Sequence, residues 1–256
     1  MKKLRIIGSI QARMGSTRLP GKVLKEISGK PMLLQQIERI KKSRLLDDIV
    51  VATTTSSSDD EIVSLCYNHN IKYFRGSEND VLNRIASLIK KFKVDVHVEF
   101  FGDSPLPDPQ IVDEFIGYYL KYKNVYDFVS NSLKTTYPPG QEVIVYNGKA
   151  LIKADEFVLR NDPLREHVSI HITQNKHKYR ICNLEAPSHY YHPDIYLEVD
   201  TCEDFELISR IFKHFNSIGK DYFSLAEILD YLDQNEALKK INQKVVRRWK
   251  RFRENV

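Results

Sequence analysis

The sequence predicts an α/β protein built on a parallel sheet covered by helices on both faces. Three observations predict it. Four short apolar runs alternate with segments whose apolar residues recur at helical spacing. The connections between them are short. The first run also empties into a loop of small and cationic residues, Gln11 to Lys22, as the first strand of such a sheet does before its ligand. In that architecture the ligand lies at the carboxyl ends of the strands.

The first run, Leu4 to Ile10, reads as a short buried strand. The stretch after it, IQARMGSTRLPGKVL, carries Gly15, Gly21, Ser16 and Thr17 together with Arg13, Arg18 and Lys22. Backbone amides and fixed positive charge at a strand end are what a polyphosphate needs, although a solvated turn with surface cations satisfies the same spacing. A second turn, Ser28 to Pro31, leads into a helix with Leu33, Ile37 and Ile40 on one face, Pro31 suiting its first position. Asp48 to Thr53 reads as a buried strand. The helix after it begins near Ser58, with Asp59, Asp60 and Glu61 in a first turn that favours negative charge.

Ile71 to Phe74 makes a third strand, followed by RGSEND and a helix with the stripe Leu82, Ile85, Leu88, Ile89, Phe92. Val94 to Phe101 makes a fourth, ending in Gly102-Asp103-Ser104-Pro105, and Pro109 opens a helix carrying Val112, Phe115, Ile116 and Tyr119. From Ser130 the rhythm weakens. Tyr137 to Gly140 is turn-rich, and Gln141 to Tyr146 alternates like a more exposed strand. Residues 130–191 read as an inserted region facing a substrate or a second subunit. Ile195 to Val199 predicts a returning strand that ends at Asp200, before a helix with Leu207, Ile208, Ile211 and Phe215 on its buried face. Domain organisation follows as residues 1–216, including the insert, and a helical extension over 217–256. In that extension Ser224 to Glu227 is a capping box, and Leu238, Ile241, Val245, Trp249 and Phe252 share one helical face among basic residues.

The 256 residues suffice for one large α/β domain, or one with an extension, and 42% hydrophobic with 29% charged residues is a globular composition. No apolar run approaches a membrane span, and the start lacks a signal peptide's long apolar region, so the expected location is the cytoplasm. Cys66, Cys182 and Cys202 are widely spaced and suggest neither disulfides nor structural zinc. A net charge of +5 fits an anionic small substrate as well as nucleic acid.

In a parallel sheet the strand ends converge, which brings the loop, Asp103 and Asp200 together. Two carboxylates facing a cationic loop suit a divalent metal between protein and triphosphate, since Mg²⁺ takes one or two carboxylates plus phosphate oxygens. Each aspartate alone is equally an ordinary strand-end or capping residue.

Taken in order, IQARMGSTRLPGKVL, RGSENDVLNR, GDSPLPDP, LREHV and VDTCEDFELI resemble the cytidylyltransferase family, which includes CMP-Kdo and CMP-sialic acid synthetases, and its spore-coat polysaccharide branch most of all. The resemblance covers about Leu4 to Phe215. It implies a Rossmann-like fold of the nucleotide-diphospho-sugar transferase type. It also implies transfer of CMP from CTP, with Mg²⁺, to a sugar acid or related hydroxyl or phosphate acceptor, releasing pyrophosphate. Arg13 and Lys22 then match the cations on the triphosphate, assisted by Gly15, Ser16 and the loop amides, with Gln11 and Ala12 beside the nucleotide. Arg75, Ser77 and Asp80 match the segment lining base and ribose, and Asp103 and Asp200 the metal-binding carboxylates. Arg165, Glu166 and His167 match a block near the acceptor, and Glu142 stands at or beside a further acceptor-facing position. Ser104 replaces a cysteine usual in the branch, which excludes a thiol there. The resemblance implies a homodimer formed through residues 130–191.

Other readings remain open on the residues alone. His167 and His171, four apart, could bind zinc if a third ligand were held rigidly. The basic tail around Trp249 and Phe252 could contact RNA or a lipid surface, or pack its apolar stripe on the domain. A related sheet could serve a transferase of another nucleotide, although GDSP does not match the D-x-D motif of glycosyltransferases.

Overall fold

The computed structural model describes residues 3–250. In chain order, β1 (Ile6–Gln11) is followed by a small hairpin, β2 (Glu26–Ile27) and β3 (Lys30–Pro31), and then by α1 (Met32–Ile40). Next come β4 (Asp48–Thr54), α2 (Asp60–Asn68), β5 (Lys72–Gly76), α3 (Val81–Phe92), β6 (Val96–Phe101) and α4 (Pro109–Tyr122). The second half holds β7 (Phe128–Ser130), β8 (Ile144–Asn147), α5 (Gly148–Phe157), α6 (Ile170–Thr173) and β9 (Ile181–Asn183). The chain closes through α7 (Cys202–Ser217), α8 (Leu225–Asp233) and α9 (Glu236–Lys239).

Seven strands form one mostly parallel sheet in the order β5-β4-β1-β6-β8-β7-β9. β1 pairs in parallel with β4 on one side and β6 on the other. The chain therefore leaves β1 in one direction along the sheet and later returns to its opposite edge. The crevice beyond the carboxyl ends of β1 and β6 is the switch point where such sheets bind ligands. β1 carries the apolar residues Ile6, Ile7 and Ile10, all buried, because both of its faces are covered. On one face α1, α4, α7 and α8 share a core with β1 and β6, and on the other α3 and α5 pack their own cluster against Ile7 and Val50.

Two expectations about strands fail. Gln141 to Tyr146 is not an exposed strand. β8 is wedged between β6 and β7, antiparallel to both, and Val143 to Tyr146 are buried. Its polar neighbour Gln141 is buried as well, donating to the Leu106 carbonyl (2.6 Å) and accepting from the Asp108 amide (3.2 Å). Ile195 to Val199 is extended and buried but joins no sheet. Its amides reach loops instead, Leu197 donating to the Pro139 carbonyl and Val199 to the Asp103 carbonyl, both at 2.7 Å. Gly140 lets these backbones pass, for its φ of 103° is left-handed and a Cβ there would stand 2.6 Å from the Leu197 carbonyl carbon.

Residues 130–191 supply β8 and β9 to the main sheet. α8 buries Leu225, Ile228 and Leu232 in the core that holds β1, and the Ser224–Glu227 capping box forms. Beyond α9 the predicted long amphipathic helix gives way to turns that bury Asn242 and Arg247. Phe252 lies outside the described residues. No helix among the described residues is long and apolar enough to cross a membrane.

Candidate active site

The cleft at the switch point has a volume of about 530 Å³. Its floor is the close approach of two strand ends. The Gly102 amide donates to the Gln11 carbonyl at 2.9 Å, and a Cβ at Gly102 would lie 2.6 Å from that oxygen, so only glycine fits. One wall is the loop after β1, anchored from behind by Asp59. That carboxylate accepts from the Met14 amide (2.8 Å), both Thr54 donors and the Thr53 hydroxyl (2.9 Å). Burial alone would raise the Asp59 pKa; these donors outweigh it and hold it below its ordinary value. So fixed, the loop turns back on the Met14 carbonyl, which accepts from the Ser16 and Gly21 amides. The amides of Gly15, Thr17 and Arg18 make no hydrogen bond to another described residue.

Lys22 occupies the centre. Its ammonium donates to Asp103 and Asp200 at 3.2 Å each and to the Val199 carbonyl at 2.7 Å. Burial would lower its pKa, but the two carboxylates more than compensate and hold it above its ordinary value. Arg18 pairs with the other oxygen of Asp200 at 2.5 Å. Gln11, Ala12, Arg13, Gly15 and Ser16 also line this cleft, as do Glu166 and His167, whose side chains lie 3.4 Å apart.

The remaining expected residues lie elsewhere. Arg75 turns away to Asp60 and the carbonyls of Thr54 and Ser56, all at 2.7 Å. Ser77 and Asp80 shape the turn into α3, Asp80 capping it through the Asn83 amide at 2.9 Å. From this segment it is Glu78, Asn79, Val81 and Arg84 that reach the cleft. Arg165, 2% exposed, is buried between Asp155 and Asp80, a structural ion pair that ties the REHV segment to α3 and α5. Glu142 lies off the cleft; its carboxylate accepts from the Gly140 amide at 2.8 Å, beside Glu198. His167 and His171 do not share a helix, and among the described residues no group of three or more His, Cys, Asp or Glu could hold a metal.

Of the cleft's cations, Arg84 carried no role in the sequence reading; Arg18 entered only as one of the loop's cations and Arg248 only through the basic tail. Arg84 interrupts the apolar stripe of α3 right after a turn, which is the signal that could have found it. Burial lowers its pKa to about 10, and its guanidinium donates to the Ser77 carbonyl at 2.6 Å.

The donor set suits a divalent cation. Asp103 and Asp200 both contact one nitrogen, so hard oxygen ligands already converge on a single point. The cleft's five Arg and Lys side chains are matched by five carboxylates, so a polyanion entering it needs positive charge brought with it.

Beneath Gln11, the wholly buried Glu99 accepts from Gln11 Nε2 (3.0 Å) and the Tyr146 hydroxyl (3.2 Å). Burial, opposed by those donors, pushes its pKa up from 4.5 to about 7. The folded form then binds the proton more tightly than the unfolded one. This contribution to stability is full below pH 4.5 and is lost as pH rises through about 7. Between pH 4.5 and 8 the wild type is expected to lose ~3 kcal/mol that Glu99→Gln does not lose. Urea unfolding of both proteins across that range measures it; parallel curves contradict it.

A mostly parallel sheet with a cationic loop and two aspartates at its switch point defines a nucleotidyltransferase. The chain belongs to the cytidylyltransferase family, whose model matches residues 7–246. The match runs past Phe215 and takes in most of the C-terminal segment. The spore coat polysaccharide biosynthesis protein SpsF of Bacillus subtilis is 32% identical over 234 residues, covering 90% of this chain and 95% of that protein. An uncharacterized protein of Methanocaldococcus jannaschii is 39% identical over 251 residues, covering 98% and 99%. Among solved structures, a cytidylyltransferase from Leptospira borgpetersenii superposes with a TM-score of 0.86 at 28% identity, over 96% of this chain and all of that one.

Proposed function

We propose that this enzyme transfers CMP from CTP to a hydroxyl or phosphate oxygen of an anionic sugar acid or related acceptor, releasing pyrophosphate. One observation carries the reading: Lys22 held between Asp103 and Asp200 at the end of β1, in a chain of this family. A solved CMP-2-keto-3-deoxy-manno-octonic acid synthetase in complex with CTP shares the fold, with a TM-score of 0.61 at 16% identity.

In-line displacement at the α-phosphorus needs positioning and charge stabilisation more than covalent chemistry. Arg13, Lys22 and the free amides of Gly15 and Thr17 would bind the phosphates. Asp103 and Asp200 would hold Mg²⁺, which when bound neutralises phosphate charge and acidifies an attacking hydroxyl. Glu166 and His167 both line the cleft, and one of them would take the acceptor's proton.

The test is a pyrophosphate-release screen of each nucleoside triphosphate against sugar acids and sugar phosphates, with Mg²⁺. CTP is expected to be turned over at least about tenfold faster than UTP or GTP with the same acceptor. Faster turnover of UTP or GTP overturns the cytidylyl assignment.

A further inference from the structure

The chain after α9 is bolted to the segment that carries Asp200. Asn242 Nδ2 donates to the Tyr196 carbonyl (3.0 Å) and to Asp204 Oδ1 (2.8 Å). Arg247, a residue 5% exposed, donates from its guanidinium to the same oxygen at 2.7 Å and lies over the Tyr196 ring. Trp249 Nε1 donates to Glu198 at 2.6 Å, and Lys250 to the Tyr196 hydroxyl at 2.9 Å. From the other side, Arg18 donates to the Val246 carbonyl at 3.1 Å.

Between the two fixed residues Arg247 and Trp249, Arg248 is exposed and lines the active-site cleft. It also lines an adjoining cavity of about 550 Å³. Arg18 and Arg248 are common to both spaces, and Lys240 and Lys244 line the second. Glu203 is the one carboxylate there among the described residues. Lys22 and Arg18 are neutralised by Asp103 and Asp200, whereas Arg248 pairs with no carboxylate among the described residues. Its charge is available to a ligand.

We propose that Arg248 binds the distal phosphates of the nucleotide, those that leave as pyrophosphate, and that residues 242–250 form a strap that presents it. This rests on the nucleotidyl-transfer reading. In that step the acceptor oxygen bonds to the α-phosphorus and gives up its proton. The bond from the α-phosphorus to the bridging oxygen breaks, and the electron pair leaves on pyrophosphate. Positive charge is needed where that pair arrives. Arg248 belongs there and not with the acceptor, because the space it shares beyond the cleft is lined by the loop cation Arg18 and by lysines, and excludes Glu166 and His167.

The test is calorimetric titration of wild type, Arg248→Ala, Arg248→Lys and Trp249→Phe with inorganic pyrophosphate and Mg²⁺, with CTP and with CMP. Arg248→Ala is expected to weaken pyrophosphate and CTP by about tenfold or more and leave CMP within about twofold. Arg248→Lys recovers part of the loss. Trp249→Phe keeps an aromatic ring but loses the indole N–H bond to Glu198, and weakens pyrophosphate by less than Arg248→Ala. An equal loss for CMP and CTP, pyrophosphate binding unchanged in Arg248→Ala, or no pyrophosphate binding by the wild type overturns the proposal. Pyrophosphate carries no base, so a wild type that prefers UTP or GTP removes the cytidylyl assignment and leaves the Arg248 result readable.

Discussion

Lys22→Ala is expected to lower kcat/KM for the nucleotide by about 10²- to 10³-fold. The side chain is 11% exposed and stands between two carboxylates, so its removal does more than delete one phosphate contact. Asp103 and Asp200 then face each other without the ammonium that neutralises them, and an incoming triphosphate meets net negative charge where it met a cation. The main-chain bond from Val199 to the Asp103 carbonyl does not depend on the lysine and keeps the segments carrying Asp103 and Asp200 together. The loss should therefore appear in kinetics, with the circular dichroism spectrum unchanged. Activity within about threefold of wild type takes Lys22 out of the site.

Asp103→Asn is expected to reduce kcat by about 10²-fold and to raise the Mg²⁺ concentration needed for half-maximal rate. The two readouts separate a metal ligand from a structural carboxylate. Asparagine keeps the shape of the side chain and the backbone acceptor, so folding is preserved. With Asp103 neutral, Lys22 keeps Asp200 as its one ionised partner, beside the Val199 carbonyl, and is freer to meet a phosphate. Nucleotide binding without Mg²⁺ should then be unchanged or tighter while turnover collapses. A parallel loss of metal-free binding and of rate contradicts a metal role for Asp103.

The first half of the fold was legible because its central strands β1, β4 and β6 are buried on both faces and its helices on one, so burial writes itself into the sequence as apolar runs and stripes. β8 was misread because its approach contains Gln141 and Glu142. Polar side chains satisfied inside the protein look in sequence like polar side chains satisfied by water, and Gln141 is of the first kind. Ile195 to Val199 has a strand's composition, yet its amide partners are loop carbonyls that no local pattern announces. The site divides the same way. That Lys22, Asp103 and Asp200 meet was legible because Asp103 and Asp200 each follow an apolar run and the cationic loop follows the first one. Arg165 carries the charge of a ligand-binding residue and is consumed by Asp155, a partner ten positions earlier whose burial only the fold creates. Arg248 escaped because its segment reads as the basic side of a helix, and the chain there is not helical.

Asp204 ties the turn that carries Asp200 to a much later segment of the chain. This fully buried carboxylate accepts from the amides of Asp200 and Thr201, which set the turn carrying Asp200, and also from Asn242 and Arg247. Until those two side chains arrive, one of its oxygens is buried without its cation, an arrangement that a low-dielectric interior disfavours. A chain cut before Asn242 is therefore expected to leave the turn that holds Asp200 unfinished. Asn242 and Arg247 lie 38 and 43 positions after Asp204, so the turn is completed by a segment far from it in sequence.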